Sequence, residues 1–222
     1  MAIISKDNTL EWVAYLVIGY LGLGFLPGIC LILLDNDFSS LIKFPLALLA
    51  SGATLYAFKK YLGWYVEDGA RLSAFGQIHK VGVGWLVSAL YLFTILICLF
   101  ATRHYSVAHL NFNLDHQLSW LSIFLLAAVI EEITARGILF RLITEKWNVV
   151  VGLVVSSIIF GFVHLFNPNA TALSCVRIAI TGGWLCAIAY AYHRTLWVPI
   201  GIHWAWNFIQ SNIFEHSVPG SA

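Results

Sequence analysis

Seven apolar runs of about twenty residues follow one another along this chain, near 10–34, 41–58, 81–101, 117–140, 149–166, 172–192 and 196–214. A helix needs ~20 predominantly apolar residues to cross a hydrocarbon core ~30 Å thick. Because that core offers backbone groups no water, such runs must satisfy their own hydrogen bonds as helices. The expected fold is therefore all-α: a polytopic integral membrane helical bundle of seven transmembrane helices, or six or eight if neighbouring runs are merged or split. Only 10% of the 222 residues are charged, against roughly a quarter in a soluble domain. The formal net charge of +1 offers no attraction to nucleic acid, which is excluded as a partner, and the lipid bilayer takes its place. No internal repeat interrupts the pattern, so 1–222 reads as one membrane domain.

The joints carry turn chemistry, as in "DNDFSS", "TEKWN" and "NPNA". The first run is too long for a signal-peptide core and lacks a small-residue cleavage site, so it reads as a retained span. Cys30, Cys98, Cys175 and Cys186 stand singly in apolar runs, as small hydrophobes rather than disulfide partners or zinc ligands. The connection 59–80 mixes basic residues with Trp64, Tyr65 and Phe75, the composition of a segment at the lipid headgroups. Gly24 and Gly28 flank Pro27 as a small-xxx-small pair suited to close packing or a kink. With the N-terminus inside, Lys6, Lys59, Lys60, Arg71, Lys80, Arg141, Lys146 and Arg194 fall on the cytoplasmic side, and Lys43 and Arg103 outside. The positive-inside rule then gives an N-inside, C-outside topology.

Charge inside the spans is confined to a few places. All five aspartates lie at termini or connections, and of the six glutamates only Glu131 and Glu132 fall within a span. A charge at the centre of a membrane helix costs ~2.5–3.5 kcal/mol on insertion scales, so these residues need partners or a purpose. Glu132 and Arg136 are one helical turn apart with the acid first, the favourable order for an ion pair that neutralises itself and stiffens the helix. Glu131 points about 100° away and needs a partner from another helix. If the fourth and fifth spans form a hairpin turning at Trp147 and Asn148, Glu131 and His164 are equidistant from the turn and share one depth.

A carboxylate beside an imidazole in a low-dielectric cavity is a general-base arrangement that can hold a water and take its proton. His164 also reads as a helix-end residue at the interface, since "LFNPN" follows it. In the last span His203 and Asn207 are again one turn apart, and both can donate to a developing oxyanion. The same pair also suits interhelical glue.

These residues spell three motifs: EExxxR at Glu131 to Arg136, FxxxH at Phe160 to His164, and HxxxN at His203 to Asn207. Their order and placement in successive apolar helices resemble the CAAX prenyl protease and bacteriocin-processing (Abi) family of intramembrane glutamic-type proteases, over about 117–214. The resemblance implies an intramembrane endopeptidase without cofactor, in which Glu131 and His164 activate water and His203 and Asn207 stabilise the oxyanion. Glu132 and Arg136, with Phe160, then hold the site in shape. A metal bound by Glu131, His164 and His203 is the alternative for such sites. The implied substrate is a peptide or protein at the membrane, such as a prenylated tail or a bacteriocin or signal-peptide leader. The implied location is a prokaryotic cytoplasmic membrane. Many members carry bulky apolar residues where this chain has Thr134 and Ala135, so its substrate preference is its own.

Other chemistries fit less well. The sequence has no HExxH, its aspartates are not in spans, and Ser157, seven residues before His164, lacks a glycine-rich setting. A small proton- or ion-coupled transporter would use the same buried groups, but commonly shows repeated halves. An immunity protein that binds a peptide without cutting it is a third class. Arg177, five residues into the sixth span, suits snorkelling outward or meeting a substrate carboxylate. Counting residues leaves one mismatch, because His203 lies nearer its turn at Arg194 than Glu131 does to its own. Pro199 is the candidate for a broken segment that would bring them level.

Overall fold

The computed structural model describes residues 9–34, 38–65, 77–105 and 113–214, and among them there are helices and no strands. Helix α1 is Thr9–Leu34, α2 is Ser40–Tyr65 and α3 is Lys80–Ala101. Helix α4 runs as Leu114–Glu132, a π-helical stretch Ile133–Phe140, and a last turn and a half Arg141–Lys146. Helix α5 is Val149–Val163, closed by a 3₁₀ turn His164–Phe166. Helix α6 has a π segment of its own, in the order Ala172–Ile178, Ala179–Gly183, Trp184–His193. Helix α7 is Trp197–Ile209, followed by a π turn Gln210–Phe214. All seven expected spans are helical. The headgroup segment assigned to 59–80 lies in its central part, 66–76, outside the described residues.

Local chemistry sets the helix starts. The Asn113 side chain accepts from the His116 N–H, and Asn148 accepts from the N–H groups of Val150 and Val151 at 3.0 Å each. Thr171 and Ser174 form a reciprocal capping box at the start of α6. Such caps satisfy backbone donors that a helix start leaves free. They matter here because the α4–α5 turn at Trp147 and Asn148 sets the relative depth of Glu131 and His164. At that end Trp12 donates its indole N–H to the Leu142 carbonyl at 3.3 Å, and the Lys146 ammonium lies 4.8 Å from the Trp12 ring centroid.

Five helices, α1, α2, α3, α5 and α6, are long and apolar enough to cross a membrane by themselves. The chain is an integral membrane protein. The two that fall short, α4 and α7, carry the buried Glu132, Arg136 and His203, and both are sheltered by the others. Between Leu126 and Ile143 every α4 residue is buried except Glu131 and Arg141. Ile133, Ile138 and Leu142 of α4 share a core with Phe58 and Leu62 of α2 and with Leu196 and Ile200 of α7.

Helix α7 packs most extensively on α3, and two glycines permit it. A Cβ added to Gly84 would fall on the Val198 carbonyl oxygen and the Ile202 amide, and one added to Gly201 on the Val81 carbonyl oxygen. Small residues let membrane helices approach backbone to backbone. Since His203 is two residues beyond Gly201, this crossing also sets where the imidazole sits. Gly201→Val should therefore destabilise by about 1–3 kcal/mol, the usual cost of overpacking, and lower the melting temperature in detergent. An unchanged melting temperature would show that the crossing can relax. In α1 only half of the small-residue pair is used: Gly24 faces the Thr134 methyl group, with 3.3 Å to the position of an added Cβ, whereas Gly28 has open space.

The expected break at Pro199 does not occur. Pro199 lies in the first turn of α7, where a helix has no N–H partner to lose. The mismatch disappears for another reason: the turn before α7 is buried, with Thr195, Leu196 and Val198 each at most 1% exposed. Arg194, exposed and in the left-handed region at φ 53°, reverses the chain, and burial begins at the next residue. With α7 beginning in this buried stretch, His203 Nε2 comes within 3.8 Å of Glu131 Oε2.

Candidate active site

The site is assembled on α4. Glu132 is fully buried and Arg136 is 1% exposed, and their side chains meet at 2.8 Å between Oε1 and Nη1. An ion pair so deep needs further hydrogen bonds to offset desolvation. Arg136 obtains them through Nη2, which donates to the carbonyls of Gly183 at 2.9 Å and Gly182 at 3.2 Å. Both acceptors belong to the π segment of α6, where widening of the helix turns carbonyls out of the usual ladder. Phe160 of α5 covers the guanidinium at 4.3 Å from the ring centroid, a favourable cation–π contact. One arginine thus ties α4, α5 and α6 together.

His203 enters from α7. Its Nδ1 lies 2.8 Å from Glu132 Oε1, the oxygen that also accepts from Arg136. Against an ionised carboxylate, which only accepts, Nδ1 must carry the proton, so Nε2 faces the other way. It lies 3.8 Å from Glu131 Oε2. His164 is turned in the same sense: its Nδ1 is 2.7 Å from the Phe160 carbonyl, an acceptor, and its Nε2 is 3.6 Å from the same oxygen of Glu131. The Phe160 ring stands edge-on to both imidazoles, at 5.0 Å and 5.8 Å between centroids.

Glu131 has the opposite environment to its neighbour. Its side chain is 36% exposed, yet Oε2 is occluded and has no hydrogen-bond partner in the protein. An unpaired buried carboxylate oxygen is costly, and 3.6–3.8 Å is too long for a direct hydrogen bond. Both imidazoles thus turn Nε2 toward the same carboxylate oxygen without bonding it directly. Among the described residues, no three His, Cys, Asp or Glu side chains form a group that could hold a metal ion.

Two cavities meet here. One, of about 340 Å³, is bounded by Glu131, Thr134 and Ala135 of α4, by Ile159 and Val163 of α5, and by Tyr20 of α1. The other, of about 200 Å³, is bounded by His203, Asn207 and Gln210 of α7 and by Thr181 and Cys186 of α6. Phe160 and His164 border both. The first cavity is largely apolar. The second is richer in hydrogen-bonding groups.

The structure therefore brings together Glu131, Glu132, Arg136, Phe160, His164 and His203, and places Asn207 in the same cavity as His203. Ser157 borders neither cavity, being fully buried against Gly183, so a Ser/His pair with His164 has no access to substrate. Arg177 is exposed, as snorkelling requires. The sequence reading missed the Gly182 and Gly183 carbonyls. Two adjacent glycines inside an apolar helix were the available signal for an irregular, carbonyl-presenting turn.

The segment that contains all of these residues is also the one with a known relative. Residues 113–209 match the Rce1-like family model, described as type II CAAX prenyl endopeptidase Rce1-like. Over these residues the chain is similar to the CAAX-protease family. No curated protein and no solved structure matches the chain. The matched residues span α4 to α7, and α1 contributes a wall of the larger cavity.

Proposed function

We propose that this protease cuts its substrate with a water held between Glu131 and the imidazoles of His164 and His203. The observation that supports this most is the partnerless Oε2 of Glu131 with two imidazole nitrogens at 3.6 and 3.8 Å. Glu131 takes a proton from that water as its oxygen attacks the scissile carbonyl. His164, fixed through Nδ1, orients the water through Nε2. The carbonyl oxygen becomes an oxyanion in the second cavity, where the Asn207 amide donates to it.

His203, whose Nε2–H faces the water before substrate is bound, donates from Nε2 to this oxyanion instead as it forms, with the ring doubly protonated. In that form Glu131, Glu132, Arg136 and His203 together carry no net charge, which suits a low-dielectric site. The proton held on Glu131 then passes to the leaving nitrogen, the C–N bond breaks, and a carboxylic acid and an amine are released. Glu132 and Arg136 touch no reacting atom in this scheme. They set the tautomer and tilt of His203.

Removing one oxyanion donor typically costs 10²–10³ in kcat. Asn207→Ala should show a loss of about that size, with KM changed far less, in single-turnover cleavage of a prenylated CAAX peptide. A variant that loses KM instead would make Asn207 a ground-state binding residue and contradict its role.

The substrate proposed is a prenylated tail, since the larger cavity is apolar and the small Thr134 and Ala135 side chains leave room in it. The second reading is a metal held by Glu131, His164 and His203. In its favour, both histidines are fixed through Nδ1, as metal ligands commonly are. The described residues do not form a ready three-ligand group, so no step above is routed through a metal.

A further inference from the structure

We propose that Gln210 is a substrate-binding residue, whose amide N–H₂ donates to an acceptor oxygen of the peptide lying in the smaller cavity. This rests on the proteolytic reading above and adds a recognition contact to it. His203 and Asn207, one turn apart on α7, and Gln210, which opens the π turn after it, all border that cavity. The outermost is the one the three motifs leave unused.

Its chemistry is fixed by a neighbour. Trp206 donates its indole N–H to Gln210 Oε1 at 2.7 Å. Indole is a donor only, so the amide oxygen must face Trp206 and the N–H₂ group is the end left for another partner. The indole is itself held, stacked on Tyr91 of α3 at 5.5 Å between centroids with planes 27° apart. A tethered amide loses little freedom on binding. It is therefore a preorganised donor, beyond the oxyanion pair, for a peptide that continues along α7.

Two sources of acceptor oxygen share this chemistry: an internal backbone carbonyl, and the terminal carboxylate of a short substrate tail. They separate experimentally. Wild type, Gln210→Ala and Trp206→Phe are compared on one prenylated CAAX peptide made with either a free C-terminal acid or a C-terminal amide. Loss of one neutral hydrogen bond predicts that Gln210→Ala raises KM about five- to tenfold with kcat within about twofold. Trp206→Phe, which frees the amide without removing it, should give a smaller rise.

An equal KM rise on both peptides assigns an internal carbonyl, and a rise on the acid alone assigns the carboxylate. An unchanged KM, or a loss of kcat alone, overturns the proposal while leaving the protease reading in place. Failure of wild type to cleave either peptide overturns the prenylated-substrate reading on which it rests. A variant that merely misfolded would lose active sites, and so kcat, on both peptides without changing KM.

Discussion

Glu131→Gln should abolish cleavage while leaving the protein folded. The loss expected is ~10³-fold or more in kcat, toward the upper end of what general-base catalysis contributes, because an amide cannot take the proton of the attacking water. Stability should hardly change. Glu131 does not belong to the Arg136 ion pair, and its side chain is 36% exposed to the cavity. The measurement is single-turnover cleavage of a prenylated CAAX peptide beside a thermal melt of the same purified sample. The same variant separates the enzyme from a peptide-binding immunity protein, for which Glu131→Gln would retain full biological activity.

Arg136→Met has the largest expected effect on folding. Removing one partner of a buried pair strands the other charge and costs 3–5 kcal/mol, a large share of the 5–15 kcal/mol that holds a typical protein together. Here the group left behind is Glu132, fully buried, with His203 Nδ1 still on Oε1 but Oε2 lacking a partner, and the carbonyls of Gly182 and Gly183 lose their donor as well. The double variant Glu132→Met/Arg136→Met should recover much of that stability, since the charge left behind is gone. Activity should stay down by ~10²-fold or more, because His203 no longer has an acceptor to hold Nδ1. Melts of the two singles and the double give the coupling. Additive losses would mean the pair does not act as a unit.

That double variant also marks the boundary of what residue patterns reveal. The Glu132–Arg136 pairing is legible because both residues sit on one helix at a fixed spacing. The depth match of Glu131 and His164 is legible because both count from the same turn, and the Asn148 cap puts that turn where the polar residues "TEKWN" indicate it. His203 could not be placed in this way. Its level depends on the burial of Thr195, Leu196 and Val198 just after the turn at Arg194, and such burial is a tertiary property that local sequence does not encode.

The π segments were equally hidden. A change from an i+4 to an i+5 hydrogen bond needs no distinctive side chain, yet without it Gly182 and Gly183 would not offer carbonyls to Arg136. Nor could helix neighbours be read off. In a membrane the lipid-facing and protein-facing sides are both apolar, so the pairing of Gly84 with Gly201 leaves no periodicity to find.

The central claim, a water trapped between one carboxylate and two imidazoles, is tested most directly by an experimental density map of the protein in lipid, with anomalous data collected above the zinc edge. The account predicts a solvent peak within ~2.6–3.2 Å of both Glu131 Oε2 and His164 Nε2 and no anomalous signal there. An anomalous peak at that position, or a direct carboxylate–imidazole contact with no room for solvent, would contradict it.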